Sequence, residues 1–314
     1  MKRLFSKSNL AVLAGILILY GLIQALLGMG ILRTFHEVNL ITFCISVIMA
    51  VSLNLITGFT GQFSLGHAGF MAVGAYWSAV MTVKWGVFFP VSILCGSALA
   101  AVFGVLIGLP TLRLKGDYLA IATLGFSEVI RVVLLNTRSV GGAAGLFGIP
   151  RLINWTWGFF AAAAAVVVIR NLLWSSYGRA CISVREDEVA AEMMGVDVAN
   201  YKVLAFTVGA FFAGLGGGVY AHYFYGLQPA TFSFMKSIEY LVMVVLGGMG
   251  SITGSILAAL VLTVINVLLQ QFSEIRMILY ALLLIVIMIF RPQGLMGSRE
   301  AGPDLFRRRA PRNR

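Results

Sequence analysis

Ionisable side chains are scarce in this sequence, 23 Lys and Arg, 12 Asp and Glu and 3 His in 314 residues, and their grouping limits the chemistry available. The largest group is Ser175 to Lys202, SSYGRACISVREDEVAAEMMGVDVANYK, the longest polar run in an otherwise almost continuously apolar chain. It sets Arg179, Arg185 and Lys202 against Glu186, Asp187, Glu188, Glu192 and Asp197, a net charge of −2 in a chain of net +11. Ser183 and Glu186 stand in the S-x-x-E relation that starts a helix, and Gly195 is the residue type that stops one. The spacing predicts a short helix over Val184 to Met194, about 16 Å long. Glu188 and Glu192 form a like-charge i,i+4 pair that weakens an isolated helix, while Ala190 and Ala191 admit a close neighbour. An acidic helix with small residues suits docking into a partner. The alternative, a solvated loop, is longer than the usual ~2–8 residues between helices.

Two further groups lie in apolar runs. Glu128 and Arg131 stand at i,i+3 within a predicted span, Asp117 to Leu135, close enough to pair on one face. Charges within spans are costly and point either to function or to static glue between helices. From Gly58 to Ala79 the sequence GFTGQFSLGHAGFMAVGAYWSA places Gly58, Gly61, Gln62, Ser64, Gly66, His67 and Gly69 where hydrocarbon is expected. Broken backbone at that depth must be buried in protein or line a watery cavity, and glycine also allows close helix crossing, so packing and path lining both remain open. His67 has no second ligand nearby, and Cys44, Cys95 and Cys181 are widely spaced, so neither a metal site nor a disulfide framework is expected.

The elements that must hold these groups are membrane spans. Mean hydropathy is +0.94, and 60% of residues are hydrophobic against 11% charged, far from soluble composition. The fold expected is an all-α polytopic membrane protein of about ten transmembrane helices, some broken at glycine clusters, with both termini cytoplasmic. The spans read Leu10–Gly30, Leu40–Ile56, the glycine-rich Gly58–Ala79, Val87–Leu109, Asp117–Leu135, Trp155–Trp174, Val203–Tyr223, a half-span Ile238–Leu246, Ser255–Phe272 and Ile275–Phe290. Arg33 to Glu37 and Phe224 to Lys236 are placed outside, the glycine-rich Ser139 to Pro150 reads as an outside loop or re-entrant turn, and Lys and Arg concentrate on the inner side, as the positive-inside rule requires. Residues 1–297 form the transmembrane domain, with 175–202 as its cytoplasmic segment, and 298–314 a disordered basic tail. The basic excess follows topology and does not imply nucleic acid. Gly247, Gly248, Gly250 and Gly254 in GGMGSITG break a second span, and VMVVLGGMGSITG is weakly similar to NLITGFTGQFSLG, as in repeats whose broken helices flank a central path.

Glu188-Val-Ala190-Ala191-Glu192-Met-Met-Gly195 resembles the segment by which permease subunits of bacterial ABC importers seat in their ATPase, although Val189 interrupts the usual E-A-A triplet. With TGFTGQFSLGHAGF, RLKGDYLAIATLGFSEVIR, VLGGMGSITG and RPQGL, about four fifths of the chain resembles the LivM-type permeases of branched-chain amino acid importers. The resemblance implies a bacterial inner-membrane subunit with no enzymatic activity or cofactor of its own. It also implies a second homologous permease, two ABC ATPase subunits, an extracytoplasmic substrate-binding protein and an amino-acid substrate, all within membrane lipid. Arg185, Glu186, Asp187, Glu188, Ala190, Ala191, Glu192 and Gly195 would then couple to the ATPase. No G-x-x-x-x-G-K-[ST] phosphate loop occurs in the sequence, in keeping with ATP hydrolysis by another chain. Permeases for urea or short amides are alternatives, as is an ion-coupled carrier using Glu128, Arg131 and Glu239.

Overall fold

The computed structural model describes residues 34–111, 116–270 and 294–297, with scattered positions between 15 and 29 and between 278 and 290. The expected spans Leu10–Gly30 and Ile275–Phe290 lie partly outside the described residues, and Arg113, Lys115 and the tail 298–314 wholly so. Ten helices carry the described chain: α1 Thr34–Asn54, α2 His67–Trp85, α3 Phe89–Thr111, α4 Asp117–Asn136, α5 Trp155–Trp174, α6 Ser176–Glu186, α7 Glu188–Met193, α8 Val198–Phe224, α9 Phe234–Gly247 and α10 Ile252–Leu268. A π-helical turn, Leu55–Phe59, extends α1. By length and composition, five helices among the described residues are able to cross a membrane.

Three sequence expectations change. Thr34 to Glu37 already belong to α1, so the described part of the expected loop Arg33 to Glu37 is helical. The stretch Phe224 to Lys236 is not a loop throughout: after β2 (Gly226–Leu227) and a 3-10 turn, Pro229–Phe232, α9 begins at Phe234, so Lys236 lies in its first turn. The segment Val184 to Met194 is two helices, not one. The small exception to an all-helical fold is the pairing of β1 (Leu146–Phe147) with β2, Leu146 opposite Leu227.

Helix α8 is the packing centre, touching α1, α2 and α3. Its glycine cluster explains why. A Cβ on Gly214 would come within 2.6 Å of the Ala100 Cβ of α3, and one on Gly217 within 2.9 Å of the Ala75 backbone nitrogen of α2. Between lipid-covered helices, where no hydrophobic force favours protein over tail, such close backbone contact supplies the dispersion energy of association. On one rim, Arg151 donates to Glu37 at 3.4 Å and to the Tyr223 hydroxyl at 3.0 Å, tying the segment before α5 to α1 and α8.

The two glycine breaks meet. Asn54, at the end of α1, donates to Ser251 O at 2.9 Å and Ser255 Oγ at 2.8 Å, and its Oδ1 accepts from Gly250 N at 2.9 Å. Asn54 is fully buried, and Gly58 lies so close to Gly250 that a Cβ there would overlap it. The chain near the C-terminus closes on the same place, Leu295 N donating to Leu246 O at 2.8 Å and Met296 N to Gly247 O at 3.2 Å. Asn54→Ala strands the Gly250 donor and removes two further bonds, and each stranded buried group costs about 1–3 kcal/mol. Its thermal midpoint in detergent should fall well below that of wild type, and Ser255→Ala, which keeps the Gly250 contact, should fall less.

Candidate coupling and path site

The polar segment begins where Ser175 caps α6, its hydroxyl accepting from Gly178 N at 3.4 Å. Ser183 caps nothing: it lies inside α6 and donates to Ala180 O at 2.8 Å. The cap of the second helix is Asp187, extended in backbone, whose Oδ1 accepts from Val189 N at 2.9 Å and Ala190 N at 3.1 Å. An aspartate in the right backbone conformation takes the capping role from a serine that can bond back within its own helix. Gly195 ends α7 at φ +83°, with Val196 N donating back to Ala191 O at 3.0 Å, an arrangement that glycine adopts without strain.

Most of the acidic groups are engaged within the chain. Glu186 pairs with Arg185, Glu188 with the Lys202 ammonium, and Asp187 and Asp197 cap helices. The tip of α7 exposes large apolar side chains, Met193 and Met194 each 84% exposed and Val189 67%, together with Glu192 and Ala190, while Ala191 is buried. Burial in the same segment pushes the Cys181 thiol up to about 11, so it is an inert packing group at neutral pH.

Arg185 links this segment to both glycine breaks. Its Nη1 donates to Gly58 O at 2.8 Å, and a Cβ on Gly250 would lie 2.7 Å from that same nitrogen. A Cβ on Gly61 would lie 3.1 Å from the Arg185 Cγ. The neighbouring Gln62 is buried and donates to Lys202 O at 3.3 Å, so the loop between α1 and α2 is held from two points of the polar segment. An open cleft of about 430 Å³ beside Arg185 is lined by Phe59, Leu173, Trp174, Ile182 and Gly250.

From that loop the chain rises into α2. Gly66 and Gly69 press on α4, where a Cβ on Gly69 would lie 2.9 Å from the Ser127 Cα, and Ser64 is buried with its hydroxyl 3.4 Å from Gly66 N. His67 is buried, with Nε2 2.8 Å from Ser52 Oγ, and its Nδ1 and the Ser127 hydroxyl are buried without partners among the described residues. Gly247 and Gly254 face each other so closely that neither accepts a side chain, and Gly248 lies against Gly294. Glu128 and Arg131 do pair, Arg131 Nε donating to Glu128 Oε2 at 2.7 Å, on the flank of the buried face of α4 with about 30% of each side chain exposed. Among the described residues no cluster of three or more His, Cys, Asp or Glu is placed to hold a metal.

Comparison with known proteins decides what this architecture is. A family model described as "Branched-chain amino acid transport system / permease component" matches residues 38–290. The chain belongs to that permease family. It is 36% identical over 287 residues to the high-affinity branched-chain amino acid transport system permease protein LivM of Escherichia coli K12, covering 80% of this chain and 68% of the relative. It is 24% identical over 235 residues to the probable LivM permease of Methanocaldococcus jannaschii, covering 66% and 68%. The LivH permease of Salmonella typhimurium LT2 is 29% identical over 184 residues, covering 57% of this chain and 58% of the relative. The protein is thus a multi-pass membrane permease, a transport component.

For this permease, sequence reading marked Arg185, the two glycine clusters and the Glu128–Arg131 pair separately; the structure joins Arg185 to the clusters. Asn54, Ser251 and Ser255 were missed, although a lone asparagine at the end of an apolar run was a usable signal. Lys202 was missed as the partner of Glu188. An unpaired charge at the centre of a span costs about 2.5–3.5 kcal/mol. Glu128→Ala or Arg131→Ala alone should therefore lower membrane yield or uptake, and the exchange Glu128→Arg with Arg131→Glu should restore much of it; equal yields and uptake in all variants would show that the pair is dispensable.

Proposed function

We propose that this chain is the permease subunit of an ATP-driven importer of branched-chain amino acids in the bacterial inner membrane. It forms the path with a second, homologous permease, while two ABC ATPase subunits bind at 175–202 and an extracytoplasmic binding protein delivers substrate. Ten spans with both termini cytoplasmic, a transmembrane domain over 1–297 and a cytoplasmic tail over 298–314 complete the reading. Membership of the permease family and the printed names of the LivM and LivH relatives support it.

The observation that carries the mechanism is the bond from Arg185 to Gly58 O. The exposed apolar tip Val189, Met193 and Met194 is the anchor of α7 in the ATPase, since flexible methionine fills irregular grooves. Gly195 sets where that tip ends, and the engaged acids hold its shape. When the ATPase subunits close, α6 and α7 move, and Arg185 passes the displacement to both glycine breaks, which rock the spans that enclose the path. The work of ATP hydrolysis is done in the partner chains.

The test is reconstitution in liposomes with ATPase, second permease and binding protein, following hydrolysis together with uptake of leucine, isoleucine, valine and urea. Uptake of the three amino acids and not of urea is expected. Met193→Glu with Met194→Glu should cut ATPase association about tenfold or more, as loss of a buried anchor does. Arg185→Ala should leave association intact and separate hydrolysis from uptake. Wild-type coupling in both variants would overturn the assignment of this segment.

A further inference from the structure

We infer that Lys236 and Glu239 of α9 form the polar half of a station on the substrate path, where the head group of a zwitterionic α-amino acid exchanges partners with the pair. Lys236 takes the carboxylate and Glu239 the ammonium. The inference rests on the importer reading above and adds the place in the chain at which the substrate's charges are met.

The pair is well made. Lys236 Nζ donates to Glu239 Oε2 at 2.8 Å and lies 5.3 Å from the centre of the Tyr240 ring, while Asn266 of α10 donates to Glu239 Oε1 at 3.3 Å. Its depth follows from its neighbour. Ser237 is buried and its hydroxyl accepts from Ala68 N at 3.1 Å, in the first turn of α2. From Ala68 to Trp85 at the far end of that helix is about 25 Å, most of a hydrocarbon core about 30 Å thick. Lys236 is therefore far from the face where Trp85 and Lys84 lie, and α9 runs a further ~16 Å from Lys236 to the glycine break at Gly247, so the pair lies between the two ends of the bundle.

At this depth the pair is still open. The Lys236 and Glu239 side chains keep 28% and 19% of their surface exposed. Hydrocarbon against that open side would carry the cost of charge in lipid, so it faces water or the second permease. The opposite flank of α2 repeats the pattern in the same layer: Gly69 presses on Ser127, next to the Glu128–Arg131 pair, which is about 30% exposed. Two partly open ion pairs at one level, on helices α4 and α9 that touch each other and α2, mark the face along which polar cargo passes. A zwitterion suits Lys236 and Glu239 because it brings one charge of each sign. Both charges of the pair stay neutralised while it is bound, and they re-pair when it leaves.

The experiment uses the reconstituted complex with Cys44, Cys95 and Cys181 replaced and Glu239→Cys introduced, which leaves Lys236 to meet a carboxylate. A charged, membrane-impermeant methanethiosulfonate should label the introduced thiol, and leucine should slow labelling about threefold once most stations are filled. The amine 3-methylbutylamine, which lacks the carboxylate, should not slow it. In parallel, Lys236→Met and Glu239→Gln should each reduce leucine uptake about tenfold while hydrolysis stimulated by loaded binding protein persists. No labelling, labelling that leucine does not slow, or equal protection by the amine overturns the station. If the unmodified complex fails to import branched-chain amino acids, the importer reading itself falls, which the labelling arms report separately from a misplaced station.

Discussion

The structure depends on the clasp that Asn54 makes across 197 residues of sequence to Ser251. Two stretches of chain stop being regular α-helix in the same region, and each leaves backbone groups that lipid cannot satisfy. Asn54 supplies both a donor and an acceptor, so one side chain completes the break at Gly250 to Ser251 while ending its own helix. Gly58 has no side chain because the other break lies against it, and the Leu295 and Met296 backbone closes a third side. Once the breaks are joined, any force on one is a force on both.

Polar groups elsewhere follow the same rule. Arg185 directs one nitrogen to Gly58 O and two to Glu186, so its charge is neutralised while it reaches into the bundle. The Lys202 ammonium, almost entirely buried at the foot of α8, is matched by Glu188, and Gln62 reaches the Lys202 carbonyl. These bonds run from the polar segment to the loop before α2. The first turn of α2, flanked by two ion pairs, lies directly beyond that loop. The order along the chain of contacts is therefore α7, the Asn54 clasp and the first turn of α2; on the function proposed above, this is the route by which work done on one surface would reach the ion pairs beside that turn.

Much of this was legible. The span Trp155–Trp174 is found as the sequence placed it, because aromatic residues mark both ends of an unbroken apolar run. The glycine clusters were visible as breaks, and their weak similarity was read as a repeat flanking a central path, but composition alone does not say that the two breaks meet or which side chain joins them. Asn54 escaped notice because one polar residue in a hydrophobic run has no periodicity, and its meaning lies in a partner far away in sequence. Ser183 was read as the cap on the strength of its S-x-x-E pattern, whereas the extended backbone at Asp187 gives that role to the aspartate. Lys236 was read as the end of a loop because a lysine near the start of a span usually marks an interface; the structure has it inside α9, neutralised by Glu239 one turn later. The acidic character of 175–202 was read as a surface for a partner; capping and intrachain pairing engage most of its acids, and Met193 and Met194 stand exposed beside Glu192.

The central claim is that motion of the α7 tip reaches the joined glycine breaks through Arg185. Spin labels at Met194 and at the exposed Met249, next to the clasp, with a third at Leu268 as reference, report both ends of that route in the assembled transporter. ATP should shift the distance distributions from Leu268 to Met194 and to Met249 together in the unaltered chain. With Arg185→Ala, the account predicts that the Met194 distribution still shifts while the Met249 distribution stays at its ATP-free position. A Met249 shift of unchanged size in the Arg185→Ala protein would contradict it.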